Sequence, residues 1–147
     1  MLKTKLTLVA LIGLGLAGCQ TDGSESARLS TQARTVPELA AYAASHPYPT
    51  SLPASEQVHA AAIVNRADST IKIYNFGTKP IHDARVWVNK GYVQHINGVA
   101  PNSSAIIRMG ELYNGLGQTF TSLNSPVSLV QVESEDGLFT LLGPASE

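Results

Sequence analysis

The rhythm of apolar and polar positions changes three times along this chain. Residues 6–16 form an apolar run interrupted only by small side chains, Thr7, Ala10, Gly13 and Gly15. Residues 20–35 are polar and small, with no sustained period, and predict a flexible tether. From Pro37 to Ser45 a helical spacing appears: Pro37 suits a first turn, Glu38 suits the positive helix end, and Leu39, Tyr42 and Ala43 share a face. His46-Pro47-Tyr48-Pro49 ends that helix, because a residue preceding proline avoids the helical region, and Leu52-Pro53 continues an extended link.

Beyond Gln57 the period falls to two. Val58–Val64 is an apolar run whose alanines leave a helix open as an alternative. Thr70–Phe76 alternates, with Ile71 and Ile73 on one face. In Ala84–Val88 the alternation places Val86 and Val88 inward and Arg85 and Trp87 opposite. Asn89-Lys90-Gly91 then forms a turn into Tyr92–Ile96, with Asn89 and Gly91 as the residues tolerant of positive φ. Strands follow at Ala105–Met109, Val127–Glu133 and Leu138–Leu142, separated by Pro101–Ser104, a glycine-rich loop at Gly110–Thr119, and Glu135-Asp136-Gly137. Seven short strands divided by turn residues predict an all-β fold, two packed antiparallel sheets in a sandwich.

The apolar run changes meaning once its flanks are included. Lys3 and Lys5 precede it, and Leu16-Ala17-Gly18-Cys19 closes it. Positive start, apolar core and small-residue end are the layout of a secretory signal peptide, and the run is too short for a stable span of about 20 residues. Its last four residues resemble a bacterial lipobox, the processing signal of envelope lipoproteins. The resemblance implies lipidation of Cys19, cleavage before it, and anchoring by acyl chains. Gln20, which is not Asp, then implies the outer membrane, with the protein facing the periplasm. Cys19 is also the chain's only cysteine, so it has no disulfide partner. The G-x-G-x-x-G spacing at Gly13–Gly18 lies inside this leader and lacks the strand and helix of a dinucleotide turn. The expected organisation is therefore a leader at 1–18, a tether at 19–35, a short helix with a proline-rich linker at 36–56, and a sandwich at 57–147.

A second resemblance covers about a third of the chain. Tyr74-Asn75-Phe76-Gly77, followed by Pro80 through Asn89, resembles the opening of immunoglobulin-like modules in bacterial envelope proteins. Gly91-Tyr92-Val93, Val99-Ala100-Pro101 and Ala105–Met109 resemble their next hairpin and strand. The resemblance implies an immunoglobulin- or fibronectin-like sandwich and brings no catalytic residues with it.

Composition narrows the chemistry. Loss of Lys3 and Lys5 with the leader leaves eight basic side chains against 11 acidic ones, a net of about −3. The basic residues are scattered and aromatics make up 6% of the chain, so a nucleic-acid partner is not expected. His46, His59, His82 and His95 show no close ligand spacing, no G-x-S-x-G elbow occurs, and Glu133, Glu135 and Asp136 fall at a strand end and turn. The expectation is a non-enzymatic, membrane-anchored binding or assembly module with no cofactor. Its partners would be membrane lipid, through the acyl anchor, and an envelope protein. The alternative is a small periplasmic metal-binding protein or hydrolase drawing on His59, His82 and His95. Trp87, Tyr92 and Tyr113 are the candidate binding residues: Trp87 and Tyr92 form an aromatic patch if they face outward and belong to the core if they face inward, while Tyr113 lies in the loop Glu111–Gly117, and loops on a rigid sandwich often carry contacts.

Overall fold

The structure is a computed structural model that describes residues 35–121 and 125–146, apart from the side chains of 56–58 and 142–146. Cys19, the lipobox and the tether up to residue 34 lie outside the described residues. Among the described residues, no helix is long and apolar enough to cross a membrane.

One helix precedes seven strands: α1 (Val36–Ser45), β1 (Ala54–Asn65), β2 (Thr70–Asn75), β3 (Ile81–Val88), β4 (Tyr92–Val99), β5 (Ser103–Arg108), β6 (Val130–Ser134) and β7 (Gly137–Ser146). The strand order is β4-β3-β6-β7-β1-β2-β5. Register shifts in the β1–β7 pair, between Gln57 and Ala61 and again between Ala61 and Ile63, break the regularity of the sheet at its centre. The strands on either side form two layers around one core. Val86, Val88, Ile96, Val130 and Val132 come from one layer, and Ala60, Ala62, Ile71, Ile73 and Ile107 from the other. The all-β, immunoglobulin-like sandwich expected from the sequence is the fold observed.

Ala60, Ala62 and Val64 alternate inward, so the alanine-rich run is a strand. One pair departs from antiparallel expectation: β1 runs parallel to β7, with Ala54 opposite Leu138. The reason is topological. β7 leaves its hairpin with β6 at the same end of the molecule at which β1 begins, so the two run side by side in one direction.

The β3–β4 hairpin forms as predicted, with Val88 opposite Tyr92. Its turn is closed by the Gly91 N–H donating to the Val88 carbonyl at 3.2 Å. Asn89 and Lys90, rather than Gly91, carry the positive φ, at 50° and 60°. Asparagine tolerates this region, and here its side chain also secures the segment leading into β6. Asn89 Oδ1 accepts the N–H groups of Ser128 at 2.9 Å and Leu129 at 3.1 Å, and its Nδ2 donates to the Pro126 carbonyl at 2.8 Å.

Helix α1 starts where Glu38 accepts the Thr35 N–H at 2.7 Å and the Thr35 hydroxyl at 2.9 Å. It packs on the outer face of the β4-β3-β6-β7 layer. Leu39 and Ala43 join Trp87, Val93, Tyr113 and Leu138 in a second apolar cluster, separate from the inter-sheet core.

Candidate binding cleft

Three aromatics singled out from the sequence are packed inside the protein. Trp87 is 2% exposed and Tyr113 6%, both in the cluster beneath α1. Tyr92 is half-buried against the inter-sheet core, its ring edge-on to Phe120 at 5.1 Å. The aromatic patch that outward-facing rings would form is therefore not on the surface. The alternation along β3 correctly sends Trp87 away from Val86 and Val88. That outward face is covered by α1 and by Tyr48, whose ring meets Trp87 edge-on at 5.3 Å.

Trp87 anchors a polar network that the sequence did not announce. Arg85 and Glu133 are paired across β3 and β6. The Glu133 carboxylate accepts from Arg85 Nε at 3.0 Å, Arg85 Nη2 at 2.7 Å and Trp87 Nε1 at 2.8 Å. Burial acts to lower the Arg85 guanidinium pKa. The hydrogen bond and charge of Glu133, with a smaller contribution from Tyr42, more than offset it and leave it raised above its ordinary value. Beside this pair, Gln131 accepts the Tyr48 hydroxyl at 2.8 Å and donates to Thr140 at 3.2 Å. These bonds tie β3, β6 and β7 together beneath α1, and the Tyr48 hydroxyl joins the linker to them.

The histidines divide between two places. His95 pairs with Asp83, and its ring sits 6.0 Å from that of Tyr42 on α1. Asp83 has φ 37°, a left-handed residue within β3. Its carboxyl is held below the ordinary carboxylate value, first by the hydrogen bond to His95 and then by the charge of His95. His59 and His82 instead line a cleft elsewhere on the molecule. The three histidines therefore do not converge. Among the described residues, no group of three or more His, Cys, Asp or Glu is placed to hold a metal ion.

The cleft opens at the end of the sandwich framed by the β2–β3 loop and the β6–β7 turn, with a volume of about 380 Å³. Its lining includes half-buried Ile81 and Phe139, the edges of buried Val132 and Leu141, and the side chains of His59, Asn75 and His82. Its rim is polar, with Thr78 and Lys79 from the β2–β3 loop and Ser134, Glu135 and Asp136 at the β6–β7 turn.

The loop on one side of the cleft is fixed from below. Asn75 is buried, and its side chain donates to the Lys79 carbonyl at 2.8 Å and the Val99 carbonyl at 3.1 Å while accepting the Gly77 N–H at 3.0 Å. A buried amide with these partners satisfied sets the loop geometry rather than contacting a ligand. Gly77 sits so close to β1 that a Cβ there would lie 2.9 Å from His59 Cβ. At the lip, Phe76 is 40% exposed and meets His59 edge-on at 6.3 Å. The asparagine-turn motif in the sequence marked this loop, whereas the facing turn was read only as a solvated acidic turn.

The fold and cleft define an immunoglobulin-like sandwich with a small recess at one loop end. No protein-family model, curated protein or solved structure matches the chain.

Proposed function

We propose that this protein is an envelope lipoprotein, anchored through Cys19, that binds a partner with the loop end of its sandwich and catalyses no reaction. The observation that carries the binding part is the cleft between the β2–β3 loop and the β6–β7 turn, an apolar recess with a polar rim. The anchoring part rests on the Lys-flanked apolar leader ending in Leu16-Ala17-Gly18-Cys19. A singly acylated protein is held only marginally, whereas two or more chains hold it stably, at about 0.8 kcal/mol per buried methylene. The expected location is the outer membrane, facing the periplasm, with Gln20 supporting that choice.

Fractionation tests the anchor. Cys19→Ser is expected to move the protein out of the membrane fraction while leaving its thermal unfolding unchanged; a variant that stays with the membranes refutes the lipid anchor. Pull-down from detergent-solubilised envelope tests the binding reading. It predicts a reproducible partner that is lost when Thr78 and Glu135 are replaced by Arg; recovery of no partner, together with no small molecule bound at the cleft, refutes it.

A further inference from the structure

We infer that the cleft accepts a small zwitterion carrying an apolar side chain, such as a dipeptide. This rests on the binding reading above and specifies the ligand for the same site. Three features of the recess carry it.

The first is size. About 380 Å³ lies near the lower limit of small-molecule pockets, which run from roughly 300 to 1,000 Å³. One or two amino-acid residues fill such a space, and a folded partner cannot enter it. The second is the wall. Ile81, Val132, Phe139 and Leu141 contribute apolar surface to the recess, beside the side chains of His59 and His82, so it favours a ligand that includes a hydrocarbon part. The third is the distribution of charge. Lys79 stands on one loop and Glu135 and Asp136 on the turn that frames the other side. Among the described residues, these three take part in no salt bridge.

Opposite charges borne on separate loops, uncompensated by each other, complement a ligand with a cation at one end and an anion at the other. The ammonium would sit by Glu135 and Asp136, and the carboxylate by Lys79. Charge-assisted hydrogen bonds at both ends orient the molecule, and its side chain then enters the apolar recess. A ligand with only one charge leaves one bank without a counterion while still desolvating it, so both ends contribute to selection.

The test uses the full-length protein in detergent, labelled with ¹⁵N, and three probes: Ala-Leu, N-acetyl-Ala-Leu and Ala-Leu-amide. Ala-Leu is expected to shift the backbone amides of Thr78, Lys79, Glu135 and Asp136 at millimolar concentration. Each capped form is expected to bind at least about tenfold more weakly, the equivalent of about 1.4 kcal/mol. Lys79→Gln should erase the preference for Ala-Leu over its amide while keeping the preference over the acetyl form. The double variant Glu135→Gln, Asp136→Asn should do the reverse. Equal binding of all three probes, shifts confined to other surfaces, or no shift at all overturns the inference. If no probe binds but a photo-crosslinker at position 78 captures an envelope protein, the zwitterion is refuted while the binding reading stands.

Discussion

Removing the Glu133 carboxylate tests the claim that the β3–β6 network fastens the helix-covered face. The acid accepts three hydrogen bonds, and its side chain is 11% exposed against 35% for Arg85. In Glu133→Ala the buried indole N–H of Trp87 loses its only acceptor in the network, which costs roughly 1–3 kcal/mol. The Arg85 guanidinium also loses its partner, but with a third of its side chain in solvent that loss is discounted to at most about 1 kcal/mol. The expected destabilisation is therefore about 1–4 kcal/mol. In Glu133→Gln one oxygen still accepts, while the new amide confronts guanidinium N–H groups, and about 1–2 kcal/mol is expected. Trp87 is the chain's one tryptophan, so its fluorescence reports from within the network. Urea unfolding followed by that emission gives both values, with an unchanged slope indicating an unchanged unfolded state. A cycle with Arg85→Met should show a coupling of roughly 0.5–1 kcal/mol between the two charged residues. A Glu133→Ala midpoint within about 0.5 kcal/mol of the parent would refute the reasoning.

Three further outcomes follow from local geometry. The folded-state pKa of Asp83 is depressed, so its stabilising contribution is present above the unfolded value of 3.8 and disappears as pH falls through the lower folded value; Asp83→Asn should flatten that acid limb of a thermal-stability profile, and an unchanged acid limb would refute the assignment. Gly98 has φ 149°, and a Cβ there would lie 2.5 Å from the Ile81 carbonyl oxygen, so Gly98→Ala should cost roughly 1–3 kcal/mol in chemical denaturation. Gly115→Ala meets nothing within 4 Å and should be neutral or slightly stabilising, and equal losses at both positions would contradict the geometry. Gln94 Oε1 is buried with no hydrogen-bond partner while its Nε2 donates to the Glu111 carboxylate at 3.1 Å, so Gln94→Met relieves one orphan and forfeits one bond and should leave the melting temperature nearly unchanged; a fall of several degrees would show that the bond to Glu111 outweighs the orphan.

The strands were readable because alternation records which side of a strand is buried. Ile71 and Ile73, and Val86 and Val88, fall on the core side as their spacing requires. What alternation does not record is what lies on the other side. Along β3 the residues Val86, Trp87 and Val88 are all buried, Trp87 by the helix and the other two by the facing sheet. The sequence shows that α1 forms, but not that Leu39 and Ala43 dock on Val93, Tyr113 and Leu138, because neither partner carries a mark of the other. The parallel β1–β7 pair was hidden for a similar reason: a strand's periodicity is the same whichever way its neighbour runs. The cleft was half visible. Asn75 and Gly77 mark one loop by their turn chemistry, but its juxtaposition with Glu135 and Asp136 depends on topology alone.

The pairing of β1 with β7 also bears on the order of events during folding. Ala54 is among the first residues of the strand region, and its partner Leu138 lies far along the chain. As the polypeptide emerges from a ribosome or a translocation pore, β2, β3, β4 and β5 find hairpin or near neighbours early. One edge of β1 waits, its backbone groups open, until β7 arrives. Closing so long a loop before any contact repays it slows folding toward the millisecond-to-second range of all-β sandwiches. In that interval the edge of β1 that meets β7, like the edge of β3 that meets β6, presents unpaired backbone groups to other chains.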